Sequence, residues 1–276
     1  MTSKTRYLFL SVLKHALLFL ILTAFTQTGG LVYLLYLLIK KRNQSDWSGI
    51  LGKLKQLGSF FVLYALFNLT ITPLVAKYFN RVPMPIYHES KLKPANAFIW
   101  LANRHYVKPQ LKKLLLETAQ SLPSEQSIVY LDANFPWIDG FPMTGHLSHD
   151  DGEKIDLAFA YKNAEGKLLN TVRSLSGYGI TTPPKAGETD QPSQCEALGY
   201  WQYSLPLALT YDRYPEYQFD YQANRKLLQN LALNTATGKI FIEPHLKERL
   251  NLQWFTKIRF HGCQAVRHDD HIHLQL

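Results

Sequence analysis

Two long runs without a charged side chain set the terms for this chain. Residues 16–39, ALLFLILTAFTQTGGLVYLLYLLI, and residues 57–76, LGSFFVLYALFNLTITPLVA, contain no Asp, Glu, Lys or Arg. A hydrocarbon core about 30 Å thick needs roughly 20 predominantly apolar helical residues, and each run is that long. The pattern predicts a two-helix transmembrane hairpin. The expected division is 1–82 for the membrane anchor and 83–276 for a domain beyond it. No small-residue cleavage site follows the first run, so the anchor is expected to stay on the chain. Gly29-Gly30 would let the second helix approach the first closely.

The chain carries 30 Lys and Arg against 21 Asp and Glu, a formal net charge of +9. Much of the excess flanks the apolar runs, as Lys40-Lys41-Arg42, Lys53, Lys55, Lys77 and Arg81, where basic side chains anchor helix ends at a membrane surface. The loop between the runs is the densest basic segment. That places it in the cytoplasm and both chain ends outside, with the inverted orientation as the alternative. No interleaving of aromatic and basic residues marks a nucleic-acid module, so no nucleic-acid partner is expected. Two cysteines, Cys195 and Cys263, leave one disulfide and two buried thiols both open.

Beyond the runs, Asn80 to Pro94 reads as an extended, proline-marked linker. The signals then alternate. Helical spacing follows Pro109 in VKPQLKKLLLETAQSL and recurs near 222–234. Strand-like segments are SIVYLDANF, KIDLAFAY, KIFIEP, TKIRFHGC and HIHLQL, and HLKERL reads as a helical turn. Residues 174–205 read as a long irregular insertion. The order is α+β, without regular βαβ alternation.

Two of these strands carry chemistry. In KIDLAFAY, period-two geometry puts Ile155, Leu157, Phe159 and Tyr161 on a core face and Asp156, Ala158 and Ala160 on the other. In HIHLQL, Ile272, Leu274 and Leu276 face the core while His271, His273 and Gln275 face away. If both strands share one sheet, Asp156, His271 and His273 project from a single face, and His149 reaches over from a loop turning at Gly152. Two histidines and one carboxylate make a three-ligand set that leaves a fourth tetrahedral position open, as in catalytic zinc sites. The other reading is an adventitious His-rich tract. His15, His88, His105 and His261 read as ordinary hydrogen-bonded histidines, and Glu243 and His245 as part of a strand-to-helix turn.

GHLSHDDGEKID fits G-H-x-S-H-x-x-G-x-x-x-D, and HDDHIH fits H-x-x-H-x-H. Together these blocks, 145–159 and 268–275, resemble the LAS group of zinc peptidases: lysostaphin-type peptidases, D-Ala-D-Ala carboxypeptidases and hedgehog-type domains. The nearest likeness is to penicillin-insensitive murein endopeptidases. The resemblance implies Zn2+ held by His149, Asp156 and His273, with His271, His268 and His146 as catalytic histidines. It implies a small antiparallel sheet with flanking helices and hydrolysis of amides in peptidoglycan peptides, as an endopeptidase rather than a D,D-carboxypeptidase. With the anchor, the expected location is the cytoplasmic (inner) membrane, the domain on the periplasmic side. The alternative is a non-catalytic zinc domain that binds wall peptides or a protein partner.

Overall fold

The segment Thr26-Gln27-Thr28-Gly29-Gly30 does not continue a helix. A computed structural model describes residues 3–43, 49–87, 91–204 and 210–276. In it the first apolar run is two helices, α1 (Ser3–Thr26) and α2 (Gly29–Asn43), followed by α3 (Gly49–Ala76). Gln27 turns the chain with a left-handed φ of 61°. The Thr26 hydroxyl donates to the Leu22 carbonyl and accepts from the Gly29 amide, so it ends one helix and begins the next. The expected single span over 16–39 is therefore corrected. Polar side chains and glycines in mid-run supply a helix stop that average hydropathy passes over. Among the described residues, Lys4–Thr26 and Gly49–Phe79 are the stretches long and apolar enough to cross a membrane. The 15 residues of α2 rise only about 22 Å.

The glycine pair serves α1 against α2. A Cβ on Gly30 would lie 2.7 Å from the Phe19 carbonyl oxygen and 2.0 Å from the Thr23 hydroxyl. The helices fold back on one another, and Lys40 at the end of α2 donates to Gln56 of α3. The start of α1, the end of α2 and the start of α3 thus share one end of the bundle, with the globular domain at the other.

The bundle is bolted to the domain through buried polar groups. Asn103 donates to Thr28 Oγ1 and to Asn68 Oδ1, and Tyr64 donates to the Leu101 carbonyl. The Trp137 amide donates to Gln27 Oε1. Arg81, expected as a membrane-surface anchor, is instead 1% exposed, bonded to the Phe135 and Asp150 carbonyls and paired with Asp139.

The expected linker is also part of the domain. Strand β1 (Val82–Pro83) pairs with β3 (Tyr106–Val107), and β2 (Leu92–Pro94) runs parallel to β4 (Ile128–Tyr130). His88 lies outside the described residues. The main sheet has six strands in the order β2-β4-β5-β10-β8-β9. Its later members are β5 (Lys154–Ala158), β8 (Lys239–Phe241), β9 (Ile258–Arg259) and β10 (His271–Gln275). A separate ribbon pairs β6 (Tyr161–Lys162) with β7 (Gln218–Phe219). The centre of the main sheet is antiparallel as expected, but its outer pairs, β2 with β4 and β8 with β9, are parallel.

Short helices α4 (Ala97–Leu101), α6 (Gln191–Ala197) and α8 (Pro244–Arg249) accompany two longer ones, α5 (Pro109–Ser121) and α7 (Tyr221–Leu233). Pro109 starts α5 where its missing N–H costs nothing, and Leu111, Leu114, Leu115 and Thr118 make its buried stripe. Asp220 caps α7 by accepting from the Ala223 amide. Both helices cover one face of the sheet, against Ile155, Leu157, Ile240, Ile272 and Leu274. Within the expected irregular insertion, α6 carries Cys195, which is disulfide-bonded to Cys263.

Gly30→Ala should lower the thermal midpoint of the full chain in detergent by roughly 2–12 °C, the shift expected from overpacking a tight contact. Gly58→Ala, where an added Cβ meets nothing within 4 Å, should hold or raise it. Equal midpoints for the two variants would remove the close helical approach.

Candidate metal centre

The second face of the sheet holds the polar cluster. Strands β5 and β10 pair antiparallel with Asp156 directly opposite His273 and Ala158 opposite His271. Ala158 keeps the space in front of His271 clear. His149 arrives from the loop before β5, which turns at Gly152 with a φ of 81°. The Gly152 amide donates to Asn134 Oδ1, fixing that turn against the sheet.

His146, His149 and Asp156 bring ligand atoms within 4.8 Å of one another and could hold a metal ion. His273 closes a tighter triangle. His149 Nε2 lies 3.3 Å from Asp156 Oδ1 and 3.2 Å from His273 Nδ1, and His273 Nδ1 lies 2.9 Å from Asp156 Oδ1. A tetrahedral ion with bonds of about 2.0–2.1 Å separates its ligands by roughly 3.3 Å, so these three groups have the spacing of a tetrahedral metal site. His149 Nδ1 donates to the Ala133 carbonyl, 2.8 Å away, which turns Nε2 toward Asp156 and His273; burial opposes charge on the ring, but Asp156 holds it above its ordinary value, so a metal would displace a proton there.

The remaining histidines surround this triangle. His146 sits between two carboxylates, its Nδ1 3.2 Å from Asp156 Oδ2 and its Nε2 3.3 Å from Asp132 Oδ2. His271 is held by Asp270 through Nδ1 and turns Nε2 toward Asp156 Oδ2, 3.8 Å away. Asp270 is fixed in turn by the Gly179 amide at 2.6 Å. His268 lines the same cleft. The structure thus brings together all six residues drawn from the two sequence blocks.

Protonation follows from this crowding. Burial opposes charge on Asp156, but His149 and His271 hold its carboxyl well below the usual range. Burial lowers His271, yet Asp270 and Asp156 outweigh it and push the imidazole up to about 9. Burial pulls His273 down to about 4 against the pull of Asp156, leaving it neutral, the form that binds metal. Burial and the neighbouring His271 and His273 hold His268 well below its ordinary value.

Several participants carried no signal in the sequence blocks. The Tyr178 hydroxyl donates to Asp156 Oδ2 at 2.9 Å and accepts from the Asp132 amide at 3.2 Å. It is presented between Gly177 and Gly179, both with positive φ, and the Gly-Tyr-Gly triplet in a long loop was the available clue. His261, expected to be an ordinary histidine, lines the cleft and stacks 6.4 Å from His273. The opening is a cavity of about 470 Å³, walled by Gly145–His149 on one side and by Trp201, Gln202 and Gln264–Val266 on the other. The Cys195–Cys263 disulfide ties together the two segments of that second wall.

Glu243 and His245 lie behind the cleft, fully buried. The turn reading holds, but Glu243 does more than begin a helix. Its Oε1 accepts from the His268 amide and from the Tyr203 hydroxyl. Burial, supported by Asp269, raises it to about 7. Compared with known proteins, the sequence matches no family model and no curated protein.

Zinc titrated into metal-stripped full chain should fill one site. Asp156→Ala and His273→Ala should each weaken binding more than about 100-fold, beyond the 10–100-fold typical of an outer-shell partner, while His146→Ala should keep the single site. Equal loss in His146→Ala and His273→Ala would break this ligand assignment. Glu243, raised in the folded state above its unfolded value of 4.5, binds more protons folded than unfolded between pH 4.5 and about 7. Its stabilising contribution is full below pH 4.5 and is lost as pH rises through about 7. Thermal midpoints recorded across that range should fall less with pH in Glu243→Gln than in the parent chain.

Proposed function

We propose that this chain is a membrane-anchored zinc metallopeptidase that hydrolyses amide bonds in peptidoglycan peptides, as an endopeptidase rather than a D,D-carboxypeptidase. The observation that carries this reading is the triangle of His149, Asp156 and His273 beside an Asp270-held His271 in an open cleft. The substrate class rests on the likeness of the blocks 145–159 and 268–275 to murein endopeptidases.

Zinc, when bound by His149, Asp156 and His273, supplies a Lewis acid that polarises an amide carbonyl and activates water. The protein's own groups complete the chemistry. His271, cationic at neutral pH and fixed by Asp270, faces the site with Nε2 and stabilises negative charge developing on the carbonyl oxygen. His268, held neutral at 4% exposure, takes and returns the proton. His146 bridges Asp132 and Asp156 at the cleft edge, and Tyr178 orients the Asp156 carboxylate from behind.

Two features support the periplasmic side of the inner membrane. A disulfide belongs to an oxidising compartment. The basic residues Lys4, Arg6, Lys40–Arg42, Lys53 and Lys55 belong to the half of the bundle away from the domain, which positive-inside logic assigns to the cytoplasm.

Full chain in detergent, loaded with zinc and incubated with purified muropeptides, should release new fragments detectable by mass spectrometry. Chelator and Asp156→Ala should each abolish them, and the fragment masses would name the bond. Stoichiometric zinc with intact muropeptides would turn the reading to a binding domain.

A further inference from the structure

The metal cleft is not the sole cavity that reaches His146. A second one, of about 520 Å³, runs from Phe98, Ile99 and Leu175 to Asp132, His146 and Tyr178. Its far end touches the metal centre, because His146 and Tyr178 both contact Asp156. The two ends are joined along one wall by Arg104, whose guanidinium lies 5.6 Å from the Phe98 ring and pairs with Asp132.

The near end lies beside the helical bundle, level with the α1–α2 turn. Phe98 and Ile99 belong to α4, whose last carbonyl, on Leu101, accepts from Tyr64 at 2.6 Å. Tyr64 is in the middle of α3, flanked by the outward-facing Phe61, Val62, Leu66 and Leu69. Asn103, just after α4, is fastened to Thr28 and Asn68. Helix α4 is therefore held alongside the bundle, where Phe98 at 55% and Leu101 at 42% exposure face outward with the bundle's own apolar side chains. Leu175, 77% exposed, is tied to the start of α4 by the Asn96 amide.

We propose that this cavity is a lateral entrance from the bilayer, and that the substrate is a peptide carried on a membrane-held hydrocarbon chain. The proposal rests on the peptidase reading and names its substrate class. The hydrocarbon stays against α4 and Leu175 while the peptide passes beside Arg104 to His146 and the metal. A freely diffusing wall fragment would need no exposed apolar approach beside the membrane helices. A substrate whose anchor cannot leave the bilayer would need one.

The test uses full chain in vesicles of phosphatidylethanolamine and phosphatidylglycerol, with a wall stem peptide offered free and N-terminally palmitoylated. The palmitoylated probe should be cleaved with the higher kcat/KM. Phe98→Glu and Leu175→Glu should each lower that value by about tenfold or more, with cleavage of the free peptide unchanged. Trp254→Glu, at a side chain 91% exposed outside both cavities, should change neither. Equal loss on both probes, or the same loss in Trp254→Glu, overturns the entrance. A binding measurement separates this from the peptidase reading. In metal-stripped protein, a diazirine on the palmitoyl chain should label residues 97–101 and 175, and labelling confined to other segments overturns the proposal even where neither probe is cleaved.

Discussion

The register between β5 and β10 governs everything around it. With Asp156 opposite His273, the alternate residues Ile155, Leu157, Ile272 and Leu274 fall on the helix-covered face. A one-residue slip of β10 would turn Ile272 and Leu274 outward and drive His271 and His273 into the core. The apolar burial that stabilises the sheet therefore also specifies how Asp156 and the histidines face one another. Loops add His149 and Tyr178, but they attach to an arrangement already fixed by the core.

Such a site is costly without partners. Asp156, Asp269, Glu243 and His149 are all at most 1% exposed, and an isolated buried charge would not be tolerated. Each is offset locally. Arg267 makes a two-pronged contact with Asp269, the His268 amide serves Glu243, and His149 and His271 neutralise Asp156. Within 267–273, Arg267 pairs with Asp269 and His271 with Asp270, so each of these charges has an opposite neighbour within reach. A metal ion adds to this balance by displacing protons from groups that burial already holds close together.

Much of this was legible in the sequence, for a reason tied to geometry. Alternation identified both faces of HIHLQL and of KIDLA, but the strand expected through Tyr161 ends at Ala158, and Tyr161 pairs with Phe219 in the separate ribbon. The helices after Pro109 and near 222–234 announced themselves by proline and by apolar spacing. What stayed hidden depends on contacts between distant segments. Gln27 and Thr28 end a helix in a run whose mean hydropathy is high. Arg81 looks like a surface anchor until Phe135, Asp139 and Asp150 are brought to it. His261 and Tyr178 sit in loops without periodicity, so nothing local separates them from ordinary surface residues. The parallel outer strand pairs, too, are set by chain crossovers and not by any pattern within the strands.

The disulfide encloses residues 195–263, and that ring leaves out His149, Asp156 and the whole of 268–273. Covalent closure thus secures α7, β8 and the Trp201 wall, while the strands that carry Asp156, His271 and His273 are held by backbone pairing, core packing and side-chain hydrogen bonds. The molecule divides its labour between two kinds of fastening. One shapes the trough in which a substrate would lie and depends on the oxidation state of the surroundings. The other keeps the ion's seat and is indifferent to it.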